Sequence, residues 1–345
     1  MHQILNPKTT LSGYRQRIDH TAAVPRTLTR AQFNKLSPTE QEAYDFERRI
    51  WFGNDMTIAT AKSTELVESA RSVLRTRSPF AIGDRGLILD GPATVGKTTT
   101  LFRFARMVEN KAAKDNPKYR EDGEVPVVYV EVPPRATPKS VASQILDFFG
   151  YGYSKRSATQ DQILRWAQDQ LVTHRTRLLI FDELQMLRLD GKTGDDAINV
   201  LKTLMNNVDC LMLLAGIDLR RGLASRAAEQ IMGRCEIIEI APFGLDEVGR
   251  GHWHALVRNF GEEMRLLDGE PDDLLAFADP LHTATQGRIG ALRRILTRAL
   301  DHAIENREAG NGEFITADLL FPDAVVASSP SLPPARQQRS RSKAA

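Results

Sequence analysis

The sequence predicts an α/β protein in which a five-stranded parallel sheet flanked by helices is joined to a small helical domain. Three observations predict it. Five short apolar runs recur along the chain, at 87-LIL-89, 126-PVVYVEV-132, 177-RLLIFDE-183, 210-CLMLLAG-216 and 235-CEIIEI-240. Near-continuous apolar strands of this kind are buried on both faces of a parallel sheet. The segments between them place apolar residues at i, i+3, i+4 and i+7, as Leu101, Phe104, Ala105 and Val108 do, which is the period of one helix face. Beyond Pro242 the strand signals stop and helical patterns continue to about residue 322.

In chain order, residues 1 to about 35 carry Lys8, Arg15, Arg17, Arg26, Arg30 and Lys35 against the single acid Asp19. With Pro7, Pro25 and many threonines, this suggests a basic, weakly structured arm. From Ser37 the pattern SPTEQEAYDFERRIWF predicts a helix, with Ser37 as N-cap, Pro38 at the first helical position and Glu40 completing a capping box. After the first strand and its helix, NKAAKDNPKYREDGE (110–124) predicts a surface loop. Thr137 and Pro138 open a helix that Gly150 ends, and Thr159 with Gln162 caps the next. Ile198, Leu201, Leu204 and Met205 mark a further helix. In the C-terminal region 271-PDDLLAFAD-279 and 290-GALRRILTRALDHAIEN-306 are helical, the latter with Leu292, Ile295, Leu296 and Ala299 on one face. Residues 323–345 are Pro/Ser-rich and end with Arg336, Arg339, Arg341 and Lys343, a composition expected to be disordered.

With 345 residues, 41% hydrophobic and 26% charged, the chain has the composition of an ordinary globular protein and enough length for one large domain with accessories. Lys+Arg 46 against Asp+Glu 44 leaves it nearly neutral, so any nucleic-acid footprint must come from local clustering of charge. Cys210 and Cys235, each inside an apolar run, predict buried thiols in a reducing compartment and argue against a disulfide framework or a metal site. No apolar stretch reaches the roughly 18 residues of a membrane helix, and the N-terminus lacks a signal-peptide core. The expected compartment is the cytoplasm, with no membrane partner.

The first strand runs into GPATVGKT (Gly91, Pro92, Ala93, Thr94, Val95, Gly96, Lys97, Thr98), which matches G-x-x-x-x-G-K-T, the P-loop. Its glycines let successive backbone N–H groups turn toward phosphate oxygens, and the following helix adds its positive end. Lys97 is expected to reach the β- and γ-phosphates of ATP, Thr98 to ligate Mg²⁺, and Thr99 to continue the binding turn. A second strand should then end in an acid for the metal. LLIFDE supplies Asp182 as the Mg²⁺ partner and Glu183 as the group that polarises an attacking water. An adjacent catalytic glutamate favours hydrolysis of ATP over transfer to a small acceptor.

The combination of GPATVGKT, LLIFDE, 231-IMGRCEIIEIAPF-243 and 286-QGRIGALRRIL-296 resembles the AAA+ ATPases of the TniB and TnsC type, regulators of DNA transposition. The resemblance spans about residues 40–322. It implies the P-loop NTPase (AAA+) fold, with strand order 5-1-4-3-2 and a helical lid. The organisation it suggests is a basic arm and helix (1–60), an AAA+ α/β domain (61–243), a lid (244–322) and a disordered basic tail (323–345). It also implies a homo-oligomer, ring or helical filament, with ATP sites between subunits. A neighbour then inserts an arginine toward the γ-phosphate. Arg234 is the first candidate and Arg226 the second, a surface arginine with local hydrogen bonds being the alternative. In the lid Arg288 matches the region of a sensor arginine, with Arg293 and Arg294 competing. Two departures stand out. The fourth strand usually ends in Asn, Thr or Ser, whereas here Ala215 and Gly216 sit there with Asp218 nearest, which predicts slow or partner-stimulated hydrolysis. Gln185 stands where relatives often carry His.

Proteins of this type bind double-stranded DNA without reading its sequence, through Lys and Arg along the phosphate track. The candidates are Lys111, Lys114, Lys118, Arg120, Lys139, Lys155 and Arg156, and the arm and tail could bind DNA or a transposase. The function implied is an ATP-dependent regulator that assembles on target DNA and recruits or activates a transposase, with a target-selection protein as a further candidate partner. A replication-type helicase loader, an NTPase switch without nucleic acid and a small-molecule kinase are the competing expectations.

Overall fold

The computed structural model describes residues 5–76, 86–187, 191–222 and 226–322, giving the backbone alone at 75–76, 191–194, 221–222 and 226–228. The tail expected over 323–345 lies outside the described residues. Five strands, β1 (Gly86–Asp90), β2 (Val127–Glu131), β3 (Leu178–Asp182), β4 (Leu211–Gly216) and β5 (Cys235–Glu239), form one sheet in the order β2-β3-β4-β1-β5 with every pair parallel. This is the expected 5-1-4-3-2 order of the AAA+ P-loop fold. The register sets Asp90 of β1 level with Gly216 of β4 and Glu239 of β5, and Glu131 of β2 level with Asp182 of β3. The C-terminal ends of the strands therefore share one edge, where open α/β sheets bind ligands.

Ahead of the sheet lie α1 (Leu11–Asp19), α2 (Arg30–Phe33), α3 (Pro38–Ile50), a π-helical turn (Trp51–Asp55) and α4 (Ala61–Thr76). Between strands run α5 (Lys97–Asp115), α6 (Pro138–Phe149), α7 (Gln160–Thr173), α8 (Gly191–Asn207), α9 (Leu219–Gly222) and α10 (Arg226–Met232). Reciprocal capping boxes form at Ser37/Glu40 and Thr159/Gln162 as expected, and others form at Thr29/Gln32, Thr137/Ser140 and Glu270/Asp273. Gly150 ends α6 in the left-handed region, φ 69°. The surface loop expected over 110–124 begins later than the sequence suggests. Residues through Asp115 continue α5, because Lys111, Ala112, Ala113 and Lys114 are good helix formers, Lys111 pairs with Asp115 one turn on, and the first helix breaker is Pro117.

The second unit comprises α11 (Glu247–Met264), a 3₁₀ stretch (Pro271–Phe277), α12 (Ala278–Thr285), α13 (Ile289–Glu308) and α14 (Ala317–Leu320). Its core centres on Trp253, Phe260, Leu281, Leu292, Leu296 and Leu300. Trp253 Nε1 is satisfied by the carbonyl of Ala278 at 2.8 Å. No helix among the described residues is long and apolar enough to cross a membrane.

The basic arm is more ordered than its composition suggests. Tyr14 of α1 is fully buried against Phe102 and Phe148 in the sheet core, and Arg120 donates two 2.7 Å hydrogen bonds to Asp19 at the end of α1. Helix α3 belongs instead to the lid: Phe52 and Met56 after it enter the lid core, and Asp45 and Arg48 join Arg307 and Glu313 in a buried, charge-balanced network. Glu313 is 0% exposed and also accepts from the Leu267 backbone N–H at 3.0 Å. Removing one partner of such a set leaves an uncompensated buried charge. Glu313→Gln should thus lower stability by about 3–5 kcal/mol, seen as an earlier urea transition in tryptophan fluorescence.

Three aspartates tie the N-terminal segment down and share a pH signature. Burial pushes Asp45 up, but hydrogen bonds from Arg307 and Arg48 outweigh it and hold the carboxyl below the ordinary aspartate range. Hydrogen bonds from Arg120 and Arg30 lower Asp19 and Asp268. Each folded pKa lies below its unfolded value, so this stabilisation is complete above about pH 5 and is lost as pH falls below the ordinary aspartate value of about 3.9. Amide hydrogen exchange within the first 55 residues, taken relative to the intrinsic rate at each pH, should speed up only in that acidic range.

Candidate nucleotide-binding site

At the end of β1 the chain turns through Gly91–Gly96 into α5. A Cβ on Gly91 would stand 2.3 Å from the Ile240 carbonyl oxygen, so β1 and β5 can end this close together only with glycine there. Thr94 and Gly96 take positive φ, 66° and 95°, and Gly96 is the N-cap of α5. The first turn of a 19-residue helix thus presents unpaired N–H groups at the loop. Lys97 is nearly buried, and its Nζ donates to the carbonyls of Gly91 (2.8 Å) and Pro92 (2.7 Å). Burial lowers its pKa, while the charges of Glu183, Asp182 and Asp90 oppose that shift.

The acid strand meets this loop directly. Thr98 Oγ1 donates to Asp182 Oδ2 at 2.9 Å, and the Tyr129 hydroxyl donates to the same oxygen at 2.7 Å. The Glu183 backbone N–H donates to Asp182 Oδ1 at 3.0 Å. Burial, with Asp182 alongside, pushes the Tyr129 phenol far up, so Tyr129 stays a neutral donor. Glu183 follows with φ 59°, and Gln185 Nε2 donates to its carboxylate. The donor set at Thr98 and Asp182, a hydroxyl and a carboxylate oxygen side by side, suits Mg²⁺, which takes hard oxygen ligands and fills its shell from phosphates and water.

Beside the P-loop a cavity of about 290 Å³ opens, lined among others by Ile58, Thr60, Val95, Phe243, Leu256 and Ile289. It lies between the linker into α4 and the lid. The lid is docked on the loop, since the Gly290 N–H donates to the Thr94 carbonyl at 2.8 Å and a Cβ at Gly96 would touch Ile289 at 3.6 Å. Arg288, the N-cap of α13, immediately precedes these two residues, and its Nε is buried without a hydrogen-bond partner. Arg293 is turned to the Phe52 carbonyl, at 3.2 and 3.0 Å, and Arg294 lines a surface groove with Arg49 and Arg298.

A family model described as bacterial TniB protein matches residues 48–245, more than half of the chain. The chain belongs to the bacterial TniB family. Its fold is similar to that of the Aeropyrum pernix ORC2 protein in ADPNP-ADP complexes, at TM-score 0.58 and 20% identity over 83% of this chain and 73% of that one. It is similar also to the Aeropyrum pernix ORC1 protein in complex with DNA, at TM-score 0.58 and 17% identity over 81% and 69%. Drosophila ORC bound to DNA gives 0.53 and 15% over 91% and 73%. At these identities the likeness is one of fold. A comparison with curated protein sequences finds no match.

Other candidate residues of this TniB-family chain lie apart from the P-loop. Arg234 Nη1 donates to Asn206 Oδ1 at 2.7 Å. It precedes Cys235, which pairs with Gly86 at the N-terminal edge of the sheet, about 13 Å along the strand from the nucleotide edge. It cannot serve its own P-loop and could act only toward a neighbour's. The side chain of Arg226 lies outside the described residues. Among the proposed DNA contacts, Arg120 is committed to Asp19 and Lys155 pairs with Asp147 at 2.6 Å. Lys118 and Arg156 are exposed and Lys139 is half-buried. Lys111 and Lys114 come together with Arg71, Arg103, Arg106 and Arg177 around a groove of about 650 Å³, where Asp115 pairs with Lys111 and Arg177. The groove lies at the far end of α5, about 20 Å from the P-loop.

Sequence reasoning did not single out Tyr129, Asp90 or the cavity lining. Asp90 accepts from the N–H groups of Gly91 (2.8 Å) and Leu219 (3.1 Å). An acid closing an apolar strand just before the first glycine was the available signal for it. Nothing in the local sequence distinguishes Tyr129 from a core tyrosine. If the cavity takes the rest of a nucleotide, filling it from the exposed Ala255 on its rim with Ala255→Trp should weaken ATP binding by about tenfold or more, measured by titration with a fluorescent ATP analogue.

Proposed function

We propose that this protein is an ATP-dependent, sequence-nonspecific DNA-binding regulator of transposition. It binds and hydrolyses ATP, assembles as a homo-oligomer on target DNA, and recruits or activates a transposase. The observation that carries the enzymatic part is the 2.9 Å hydrogen bond between Thr98 of the P-loop and Asp182, with Glu183 next in the chain. Membership of the TniB family supports the transposition part.

ATP with Mg²⁺ would supply the triphosphate whose binding supports assembly and whose cleavage supports release. The backbone N–H groups of Ala93–Gly96 and the Lys97 ammonium hold the phosphates; Thr98 and Asp182 hold the metal. The Glu183 carboxylate accepts a proton from water. Arg288 serves the nucleotide in its own subunit, and Arg234 reaches a neighbour's. The groove around Lys111 and Lys114, with six cationic side chains and Asp115 beside them, supports contact with the phosphate backbone of duplex DNA.

Lys97→Ala should abolish ATP binding in a fluorescence titration. Glu183→Gln should keep binding while turnover drops by about 100-fold, and unchanged turnover would remove Glu183 as the base. DNA binding should require ATP. With about six phosphates neutralised, affinity should fall ~10³-fold between 50 and 200 mM salt. Hydrolysis with no DNA binding at any salt concentration would favour the NTPase switch.

A further inference from the structure

The end of β4 carries no polar side chain, yet a polar group occupies the space beside it. The Gln185 side chain, from the 3₁₀ turn Leu184–Met186 after β3, accepts a hydrogen bond at Oε1 from the Ile217 backbone N–H at 3.0 Å. Its Nε2 donates to the Glu183 carboxylate. Chemistry fixes this orientation, because a backbone N–H can only donate and a carboxylate can only accept. Flipping the amide would break both bonds.

Gly216 makes the slot. A Cβ there would stand 2.6 Å from Gln185 Oε1 and 2.6 Å from Leu219 Cδ2. Gly216 is not among the residues with positive φ, so glycine here serves space and not backbone conformation: a β-carbon would push the Gln185 amide or the Leu219 side chain aside. The slot is wired to the P-loop as well: two residues beyond Ile217, the Leu219 N–H donates to Asp90 Oδ1, which also accepts from the Gly91 N–H.

We propose that Gln185 is the positioning residue of this site, setting the Glu183 carboxylate against the end of β4 through a slot that Gly216 keeps open. Glu183 sits at φ 59°, past the last residue of the strand, so the sheet does not fix the direction of its side chain. A donor anchored at its far end does. The inference rests on the hydrolytic reading above, deepening it by naming what orients the base.

The test compares Gln185→Ala and Gln185→Met with wild type and Lys97→Ala. Methionine fills the volume of glutamine but makes neither hydrogen bond. For both Gln185 variants we expect kcat lower by about tenfold to a hundredfold, with affinity for a fluorescent ATP analogue within about twofold of wild type. Amide hydrogen exchange at Ile217 in nucleotide-free protein should be faster in both, with the melting temperature unchanged. Wild-type kcat in Gln185→Met, or unaltered exchange at Ile217, would overturn the proposal by reducing Gln185 to a packing residue. Absence of Lys97-dependent hydrolysis in wild type would overturn the hydrolytic reading and this inference together. Gly216→Ala, which displaces the amide while leaving Gln185 in the sequence, should reproduce the kcat loss and add little to that of Gln185→Ala; additive losses would also overturn it.

Discussion

The candidate site depends on one buried carboxylate. Asp182 is 1% exposed, and a buried carboxylate is tolerated only where donors replace the water it has lost. Here three do so: Thr98 Oγ1, the Tyr129 hydroxyl and the Glu183 N–H. Each donor comes from a different place, namely the first turn of α5, the neighbouring strand β2 and the residue that leaves β3. Satisfying one side chain therefore locks the P-loop helix, two strands and the acidic turn in mutual register. A polar network of this kind is specific because each group left unpaired in a low-dielectric interior is costly. A loop, a strand edge and a turn that are far apart in sequence are thereby held within hydrogen-bond reach of one another.

The rest of the chain is arranged around that edge by two separate cores. The sheet core takes α1 through Tyr14, while the lid core takes the end of α3 through Phe52 and the buried Asp45–Arg48–Arg307–Glu313 network. The N-terminal segment is thus divided between the two units, and the linker after it passes along the cavity beside the P-loop. Contact between the lid and the loop at this edge is small: the Gly290–Thr94 hydrogen bond and the approach of Ile289 to Gly96. A small, mainly backbone contact between two large cores makes nucleotide contact at Arg288 sensitive to the placement of the lid as a whole.

The strands and most caps were legible because each rests on local physics, whereas the strand order came from the family resemblance. Apolar runs of four to six residues need a two-sided cover, and Ser37, Thr159 and Gly150 act on their own backbone neighbours. The P-loop and the acid pair were legible because the chemistry needs those residue types in that order. Tertiary pairing was not. A basic N-terminal composition suggested a loose arm because sequence cannot show that Arg120, expected on DNA, is neutralised by Asp19. The length of α5 was underestimated because charged residues suggested a loop where their helix propensity and the Lys111–Asp115 pairing decide. Arg288 ranked ahead of Arg293 on the resemblance without excluding it; the structure turns Arg293 to the Phe52 carbonyl and leaves the Arg288 Nε beside the loop without a partner.

The two departures from the family pattern illustrate how pairing changes a reading. Taken singly, Gly216 is a missing polar side chain and Gln185 a replaced one, and each suggests a weakened site. In the fold they occupy one volume: Gln185 Oε1 stands where a β-carbon on residue 216 would lie within 2.6 Å of it. A side chain at 216 would displace the glutamine amide from its present place, so either residue alone would look like damage while the pair is a consistent arrangement. The polar function at the end of β4 is supplied from the turn after β3, by an amide that touches the acid and the fourth strand at once.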